Sequence, residues 1–303
     1  MFNRNLFHLS AEVEAALAEG RAVVALESTV IAHGLPRPLN LDTAHRLQQV
    51  VREGGAIPAT IAVLDGKLTV GLDDAQIERI ADEGHEIHKL SRRDLSIAVA
   101  RGWDGATTVA TTMWIARQAG IAVFATGGIG GVHRGALADV SADLPELART
   151  PMVVVCSGAK IVLDIAATRE WLETYGVTVI GYECNEMPAF YMRRSGLPID
   201  VRADSAREVA TLARARNELG LEGAILVTVP VPIEAEVEPE MIEAVLNEAL
   251  DDAKRLKIGG RGVTPFLLER MGERTGGATL AANVALLENN ARIAAEIARA
   301  LLE

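Results

Sequence analysis

A single lysine, Lys160, directly follows an apolar run in the segment VVVCSGAK. The run Val153 to Cys156 is typical of a buried strand, and the Ser-Gly-Ala that follows it is typical of a turn. Lysine is rarely buried, because its ammonium group loses hydration that the protein interior does not easily replace. Lys160 could therefore lie at the solvated start of a helix predicted over 160–175. Its aliphatic carbons could also lie along the protein surface while its ammonium group reaches solvent. The alternative is a functional amine placed at the end of a buried strand.

Three further segments place side chains or backbone groups with possible chemistry just after predicted strands. Glu27 ends the segment AVVALE, and Lys89 ends a short strand predicted over 86–90. The segment ATGGIGGVHRG follows another strand, and its glycine N–H groups can approach an anion closely. Each has an ordinary alternative: Glu27 as a helix N-cap or surface carboxylate, Lys89 as a surface lysine, and the glycines as a tight turn.

The elements that must position these groups alternate between strands and helices along the chain. Such alternation predicts an α/β fold with a largely parallel or mixed sheet covered by helices on both faces, a helical C-terminal portion, and one domain over 1–303. In such sheets, functional groups gather beyond the carboxyl ends of the strands. Strands are predicted over 22–28 and 86–90, on both sides of the turn Asp65-Gly66, and in the segments IAVFATGG, MVVVCSG, VTVIGY and GAILVTVPVP. Helices are predicted over 10–20, 41–53 and 73–83, after Ser91, in TTMWIARQAG, and over 160–175, 203–219, 237–257, 264–274 and 278–302.

The charge of the chain bears on its partners. The formal net charge is −11 over 303 residues, which argues against general binding to a nucleic acid polymer or an anionic membrane. An anionic small molecule needs only local positive charge, which the segments HKLSRRD and GVHRG supply. We therefore expect a small-molecule substrate and neither a nucleic acid nor a membrane as partner.

Three features of the sequence favour a cytoplasmic protein. The N-terminal residues lack the basic start and apolar run of a secretory signal, and no apolar stretch approaches the ~18 to 20 residues of a membrane span. The two cysteines, Cys156 and Cys184, do not make a disulfide framework and lack metal-type spacing.

Nine segments together resemble, in order, the pseudouridine-5'-phosphate glycosidase family, and the resemblance spans nearly the whole chain. It implies cleavage of pseudouridine 5'-phosphate to uracil and ribose 5-phosphate, a divalent metal that is typically manganese, and a homotrimer. The segments are ALESTVIAHGLPRP, GAIPATIAVLDGKLTVGL, KLSRRDL, GATTVATTMWIA, FATGGIGGVHRGA, DVSADL, VVVCSGAKIVLD, GRGVTPFLL and TGGATLAANVALLENNA.

The same resemblance implies roles for individual residues. Lys160 takes the position of the covalent nucleophile, Glu27 that of the proton donor, and Asp139 that of the metal ligand, with Asp143 the next candidate ligand. Only Leu137 and Ala138 separate HRGA from DVSADL, which is fewer residues than we expect for the family and predicts a tighter metal loop. The positions implied to bind substrate are Lys89, Thr108, Val109, His133, Ser141, Ala142, Asp143 and Asn283.

The implied reaction explains why these residue types are needed. Pseudouridine joins its base to the sugar through a carbon–carbon bond, so no leaving oxygen exists for the acid of an ordinary glycosidase to protonate. A lysine adduct supplies an electron sink instead, and Glu27 would protonate the ring oxygen as the ribose opens. The amine must be neutral, which apolar surroundings and nearby cations favour, while apolar burial raises the pKa of a carboxyl such as Glu27. Lys89, Ser141 and the backbone near Val109 suit a phosphate dianion.

Two other functions share much of this pattern. A Schiff-base aldolase acting on a ribose phosphate would need the lysine but no pocket for uracil. A non-catalytic sugar-phosphate sensor would use Lys160 only as a phosphate contact. Borohydride trapping would separate a sensor from an enzyme, and uracil release would separate a glycosidase from an aldolase.

Overall fold

The computed structural model describes residues 4–82, 84–135, 139–258 and 262–303 of the chain. In these residues a large mixed sheet is flanked by helices, with a small two-stranded sheet beside it. The strands are β1 Phe7–Leu9, β2 Val23–Leu26, β3 Ile57–Leu64, β4 Lys67–Val70, β5 His88–Leu90, β6 Gly105–Thr107, β7 Val123–Ala125, β8 Val132–His133, β9 Val153–Cys156, β10 Leu163–Asp164, β11 Thr178–Tyr182, β12 Val201–Ala203 and β13 Ile225–Thr228.

In the described residues after β13, the regular elements are all helices, as the sequence predicts. Short 3₁₀ turns occur at Arg4–Leu6, Arg92–Asp94 and Ile233–Ala235. The α-helices are α1 Ala11–Ala18, α2 Thr29–His33, α3 Leu39–Glu53, α4 Asp74–Ala81, α5 Leu95–Arg101, α6 Val109–Ala119, α7 Asp143–Leu147, α8 Ile165–Thr174, α9 Ala206–Glu218, α10 Pro239–Arg255, α11 Val263–Arg274 and α12 Ala278–Ala300.

The order of the large sheet is β1-β4-β3-β2-β7-β9-β13-β11-β12, with β6 paired to β3 and β5 paired to β6. From β3 to β12 along this order, every neighbouring pair is parallel. Strands β4 and β6 run antiparallel to β3. The sheet is therefore mixed, with a parallel centre and an antiparallel side, and the predicted α/β class with helices on both faces is confirmed.

Local sequence chemistry accounts for several element ends. Ser10 caps α1 by accepting a hydrogen bond from the Val13 amide, and Asp73 forms a capping box with Gln76 at α4. The predicted turn between β3 and β4 places Asp65 and Gly66 at φ values of 49° and 71°, which suits an Asp-Gly hairpin. Helix α12 packs against β2, β7 and β9 and is buried along much of its length.

The helix predicted over 160–175 begins five residues later than the sequence indicates. Leu163 and Asp164 pair with His133 and Val132 in the small antiparallel sheet, so this stretch is strand and not helix. Asp164 then caps α8 through the Ala167 amide. Lys160 lies in a loop, and the expectation that it starts a helix is wrong because this tertiary strand pairing overrides the local helical pattern.

Other sequence-based predictions have mixed outcomes. The short helix α2, which ends at His33, was not predicted, while the helices after Ser91 and in TTMWIARQAG are confirmed. The short strands β1, β6 and β12 were not predicted, because three residues carry too little periodicity to detect. The shortened loop at Leu137 and Ala138 lies outside the described residues. Within the described ranges, no helix is both long and apolar enough to cross a membrane.

Candidate active site

Three neighbouring parallel strands, β2, β7 and β9, end at the same edge of the sheet. Glu27 directly follows β2, Thr126 directly follows β7, and the turn that leads to Lys160 follows β9. The carboxyl ends of parallel strands therefore bring together a carboxylic acid, a hydroxyl group and an amine that are far apart in sequence. Lys89 approaches the same region from β5, on the antiparallel side of the sheet.

Backbone geometry holds Lys160 in its loop. Gly158 has a φ of 84°, and a Cβ atom there would stand 2.3 Å from the carbonyl oxygen of Pro188. Only glycine fits this position, both for its left-handed backbone and for the close approach. The Lys160 amide donates to the Ile129 carbonyl at 3.1 Å, and the Ile129 amide donates to the Gly158 carbonyl at 3.0 Å. The nucleophile candidate is thus placed by the glycine-rich segment that follows β7.

Two adjoining chambers meet at these side chains. The apolar chamber has walls from Val30, Phe190, Pro265, Leu268 and Leu287. The polar chamber has walls from Ser91, Thr108, His133, Ser141 and Asp143. The residues that line both chambers are Glu27, Thr29, Lys89, Lys160 and Thr264.

Glu27 is almost fully buried, and its hydrogen-bond partner is the Thr126 hydroxyl. Burial raises the pKa of Glu27, and the charge of Asp143 acts in the same direction. The charges of Lys160 and Lys89 and the Thr126 hydroxyl oppose that rise. The net direction is upward, as the sequence analysis expects for a carboxyl group that must hold a proton.

We expect Thr126→Val to raise the pKa of Glu27 further. In the wild type the Thr126 hydroxyl donates to the Glu27 carboxylate and stabilises its ionised form. The pKa would be measured by ¹³C NMR titration of the Glu27 carboxyl carbon. Thr112→Val is the matched control, because the Thr112 hydroxyl is also buried but bonds to Thr107. An unchanged or lowered pKa in Thr126→Val would contradict this assignment of the hydrogen bond.

A buried asparagine that was not predicted from sequence connects the strand ends. The Asn290 side-chain amide, on α12, donates to the Thr126 carbonyl at 2.9 Å and to the Ser157 hydroxyl at 3.2 Å. It therefore links the residue that bonds to Glu27 with the turn that precedes Lys160. Asn290 is fully buried, and no pattern in the sequence distinguishes it from a surface residue of the predicted helix over 278–302.

The carboxylate of Asp143 has a structural role, as an acceptor for two backbone amides, that was not predicted from the sequence. One carboxylate oxygen accepts from the Ala110 amide at 2.9 Å, and the other accepts from the Gly130 amide at 2.8 Å. A Cβ atom at Gly130 would lie 2.2 Å from the Ser141 hydroxyl, so the glycine permits this close approach. The anion that the glycine-rich segment approaches is therefore the Asp143 carboxylate itself. Both oxygens of Asp143 therefore accept hydrogen bonds from backbone N–H groups, which fix the orientation of its carboxylate.

The remaining predicted substrate-binding residues lie on the walls of the same cavities. Thr108 and Val109 start α6 beside the polar chamber, and Ala142 precedes α7 there. His133 lines the polar chamber, with its amide donating to the Asp139 carbonyl at 2.9 Å. Asn283 is buried on α12 and lines the apolar chamber instead.

Asp139 lies apart from the two chambers. It is exposed and lines a wider groove, which shares Lys89, His133 and Ser141 with the polar chamber. In the described part of the chain, no three His, Cys, Asp or Glu side chains converge in an arrangement that could hold a metal ion. A hard divalent cation that keeps most of its water ligands fits a single carboxylate of this kind.

Several residues that line the chambers were not singled out from sequence. Thr29, Phe190 and Thr264 are examples, and Phe190 has a φ of 63°, which is unusual for a bulky residue. His33 also lines the apolar chamber. Its segment AHGLPRP lies within one of the segments that carry the family resemblance, but the spacing of these residues does not indicate which of them faces a cavity.

Comparisons with known proteins agree on the family over nearly the whole chain. The sequence model of the indigoidine synthase A like protein family matches residues 12–300. A pseudouridine-5'-phosphate glycosidase of Geobacillus kaustophilus is 51% identical over 294 residues, which cover 96% of this chain and 97% of the relative. Another from Herpetosiphon aurantiacus is 52% identical over 297 residues, which cover 97% of this chain and 98% of the relative.

Two solved structures share the fold of this chain over nearly its whole length. The prealnumycin C-glycosynthase, solved in complex with ribulose 5-phosphate, is 41% identical and superposes with a TM-score of 0.90 over 98% of this chain and 97% of its own. An indigoidine synthase A-like protein of Thermotoga maritima is 38% identical, with a TM-score of 0.91 over 100% of this chain and 99% of its own. The likeness therefore covers the elements that carry the two chambers.

Proposed function

Because the chain belongs to the pseudouridine-5'-phosphate glycosidase family of indigoidine synthase A-like proteins, we propose that it cleaves pseudouridine 5'-phosphate to uracil and ribose 5-phosphate. The relatives named above carry that activity in their names, and a solved relative that holds a pentose phosphate is a C-glycosynthase. The proposal extends to a lysine Schiff base, a divalent metal and a reversible reaction.

The observation that carries the proposal is the meeting of the two chambers at Lys160, Glu27 and Lys89. A C-nucleotide has an uncharged planar base at one end and a phosphorylated sugar at the other. The apolar chamber suits the base and the polar chamber suits the ribose phosphate. The carbon–carbon bond between base and sugar would then lie beside Lys160, at the boundary that both chambers share.

The proposed chemistry follows from this placement. The Lys160 amine forms a bond to the anomeric carbon, the bond from that carbon to the ring oxygen breaks, and Glu27 gives its proton to the ring oxygen. The nitrogen, cationic after the attack, returns a proton to the Glu27 carboxylate, and its lone pair then forms an iminium as the carbon–carbon bond breaks. The electron pair of that bond goes to the base carbon, which takes up the proton from Glu27. Water adds to the iminium and releases ribose 5-phosphate, which restores the neutral amine and returns a proton to Glu27.

An assay of uracil release from pseudouridine 5'-phosphate, with and without Mn²⁺, tests the function directly. Uridine 5'-phosphate, whose base is attached through nitrogen, is the control substrate. Borohydride trapping with ribose 5-phosphate separates the alternatives. An aldolase would trap the sugar but release no uracil, and a sensor would do neither.

Lys89 is proposed to bind the 5'-phosphate. It lines both chambers and the groove that leads to them, so a phosphate in the polar chamber lies within its reach. We expect Lys89→Ala to lower kcat/KM for pseudouridine 5'-phosphate by about 10- to 100-fold, as the loss of a charge-assisted hydrogen bond does. Unphosphorylated pseudouridine should be affected far less, because the partner of the lysine is absent.

The exposed Lys67, which bonds to the Asn5 carbonyl, supplies the control variant Lys67→Ala. Equal losses for both substrates in Lys89→Ala would show that Lys89 does not contact the phosphate.

Asp139 is proposed to hold the divalent metal, with water as most of the other ligands. The ion would supply positive charge beside the polar chamber, where the phosphorylated sugar is proposed to bind. Ser141 and His133 line the same groove and are available to bind the phosphate directly. The homotrimer implied by the resemblance stays a prediction.

We expect a chelator to remove activity, Mn²⁺ to restore it, and Asp139→Ala to need far more metal for the same activity. Binding of Mn²⁺, followed by its electron paramagnetic resonance signal, should weaken in parallel in the variant. Asp164→Asn, an exchange at the helix cap of α8, is a control carboxylate outside the groove. Normal Mn²⁺ binding by Asp139→Ala would place the metal elsewhere.

A further inference from the structure

The side chain of Asn290 contacts the carboxyl ends of two strands that lead to the candidate active site. Its Nδ2 atom lies 2.9 Å from the Thr126 carbonyl oxygen, just after β7, and 3.2 Å from the Ser157 hydroxyl, just after β9. A carbonyl oxygen can only accept a hydrogen bond, so the nitrogen of the amide, and not its oxygen, faces β7. Asn290 is fully buried, so it acts on other residues of the protein and not on a bound molecule.

The two contacts of Asn290 lead to the two candidate catalytic side chains. On the β7 side, the hydroxyl of Thr126 donates to the Glu27 carboxylate. On the β9 side, Ser157 begins the turn that ends at Lys160. Asn290 therefore connects the residue that bonds to the acid with the turn that carries the amine.

The segments that follow these two strand ends are rich in glycine. Gly127 and Gly128 follow Thr126, and Gly158 follows Ser157. Glycine gives the backbone more conformational freedom than any other residue, so local preference does not fix the groups beyond it. The backbone hydrogen bonds of the Lys160 loop run to this same glycine-rich segment. A side chain from outside both segments can fix them to the rest of the fold, and Asn290 supplies that side chain from α12.

Helix α12 carries other residues of the site on the same face as Asn290. Asn283 and Leu287, seven and three residues earlier in the chain, line the apolar chamber. Residues at spacings of three, four and seven lie on one face of an α-helix. The helix packs against β2, β7 and β9. Through Asn290, α12 therefore joins a wall of the apolar chamber to the strand ends that position the acid and the amine.

We propose that Asn290 is a positioning residue, which fixes the loop of Lys160 against the end of β7 and so sets the distance at which the amine meets the anomeric carbon. The inference rests on the proposed function, because it assigns Asn290 an effect on the attack by Lys160. Reacting atoms must be held close and aligned, and a displacement of about 1 Å can cost about 100-fold in rate. Asn290 acts through Thr126 and Ser157 and does not touch the substrate.

The test compares Asn290→Leu with Asn40→Leu, in which leucine keeps the branched shape of asparagine but has no polar side-chain atom. Asn40 is the matched control: it is buried, its Nδ2 atom donates to the carbonyls of Ile31 and Ala81 at 3.0 and 3.2 Å, and it lines neither chamber. Both variants should lose thermal stability to a similar degree, because each removes the donor to a buried carbonyl.

Their kinetics should differ. Asn290→Leu should lower kcat for pseudouridine 5'-phosphate by about 10- to 100-fold and change KM by less than about threefold, because it misplaces the amine and leaves the proposed phosphate contacts in place. Asn40→Leu should change kcat by less than about twofold, because it does not act on the amine. A merely structural role of Asn290 would give both variants the same kcat.

Ser157→Ala tests the same contact with a smaller change. It removes only the hydroxyl that Asn290 contacts, and it should also lower kcat. The double variant with Asn290→Leu should lose no more than Asn290→Leu alone, because both substitutions break one contact. The rate of borohydride trapping with ribose 5-phosphate follows attack by Lys160 without the base, and it should fall in the same variants.

The outcomes separate this inference from the proposed function. If the wild type neither releases uracil nor traps ribose 5-phosphate, the proposed function fails, and the inference fails with it. If the wild type is active but Asn290→Leu matches Asn40→Leu in kcat and trapping rate, only the inference fails. Additive losses in the double variant would also overturn it, because Asn290 would then not act through Ser157. If Asn290→Leu does not fold, a wild-type kcat in Ser157→Ala overturns the inference and a lowered kcat supports it.

Discussion

Lys160→Ala is expected to abolish uracil release and to prevent any covalent adduct with the sugar phosphate, while the protein remains folded. The loss in kcat should reach at least about 10³-fold, because the proposed reaction has no other electron sink and removal of a nucleophile leaves only binding and electrostatic effects. The fold should tolerate the change, since backbone hydrogen bonds to Ile129 hold the loop and the side chain is only half-buried.

Trapping identifies the reactive amine directly. Incubation of the wild type with ribose 5-phosphate and borohydride should fix one reduced pentose phosphate on the peptide that contains Lys160, as located by mass spectrometry. Lys160→Arg should also fail, because a guanidinium stays charged and cannot form the adduct. Lys67→Ala should behave as the wild type. An adduct on Lys89, or normal turnover by Lys160→Ala, would overturn the mechanism.

Glu27→Gln is expected to keep the fold and substrate binding but to lower kcat by about 10²- to 10⁴-fold, the usual contribution of a general acid. Glutamine fills nearly the same buried space and can still accept a hydrogen bond from Thr126, so packing at the ends of β2 and β7 should be retained. A loss below about tenfold would remove Glu27 from the role of proton donor.

The pH profile adds an independent check on Glu27. Burial raises the pKa of this carboxyl, so it keeps its proton to a higher pH than an exposed glutamate does. As pH rises through that pKa, the protonated fraction falls and kcat of the wild type should fall with it. Glu27→Gln has no such group, so its residual turnover should not show this decline. Glu288→Gln, on α12 and away from both chambers, is the control.

Much of the framework around these residues could be predicted from the order of the elements. The apolar runs of β2, β7 and β9 are short and followed by turn residues, and parallel strands with intervening helices are known to collect functional groups at their carboxyl ends. The sequence therefore predicts that Glu27 and Lys160 both follow the carboxyl ends of strands, where functional groups gather. The late start of α8 was not predicted, because the pairing of Leu163 with His133 joins residues thirty positions apart, and no local pattern encodes that contact.

The role of Asp143 shows a second limit of prediction from sequence. An aspartate in a loop segment suits a metal or substrate ligand by type, and the family resemblance implies a substrate-binding position for Asp143 and makes it the next candidate metal ligand. The structure shows its two oxygens bonded to the amides of Ala110 and Gly130, which are supplied by α6 and by the glycine-rich segment. Backbone N–H groups are invisible in a sequence, because every residue except proline has one.

By itself, the sequence determined the residue types available for chemistry, the alternation of strands and helices, and the resemblance to a family over nearly the whole chain. Those properties depend on local periodicity and on the identity of side chains, which can be read along one dimension. Only the tertiary structure decided that Lys160 lies in a loop, that Asn290 links Thr126 to Ser157, and that the Asp143 carboxylate bonds to the amides of Ala110 and Gly130. Burial and hydrogen-bond completion depend on segments that are distant in the chain and meet only when the sheet and α12 pack together.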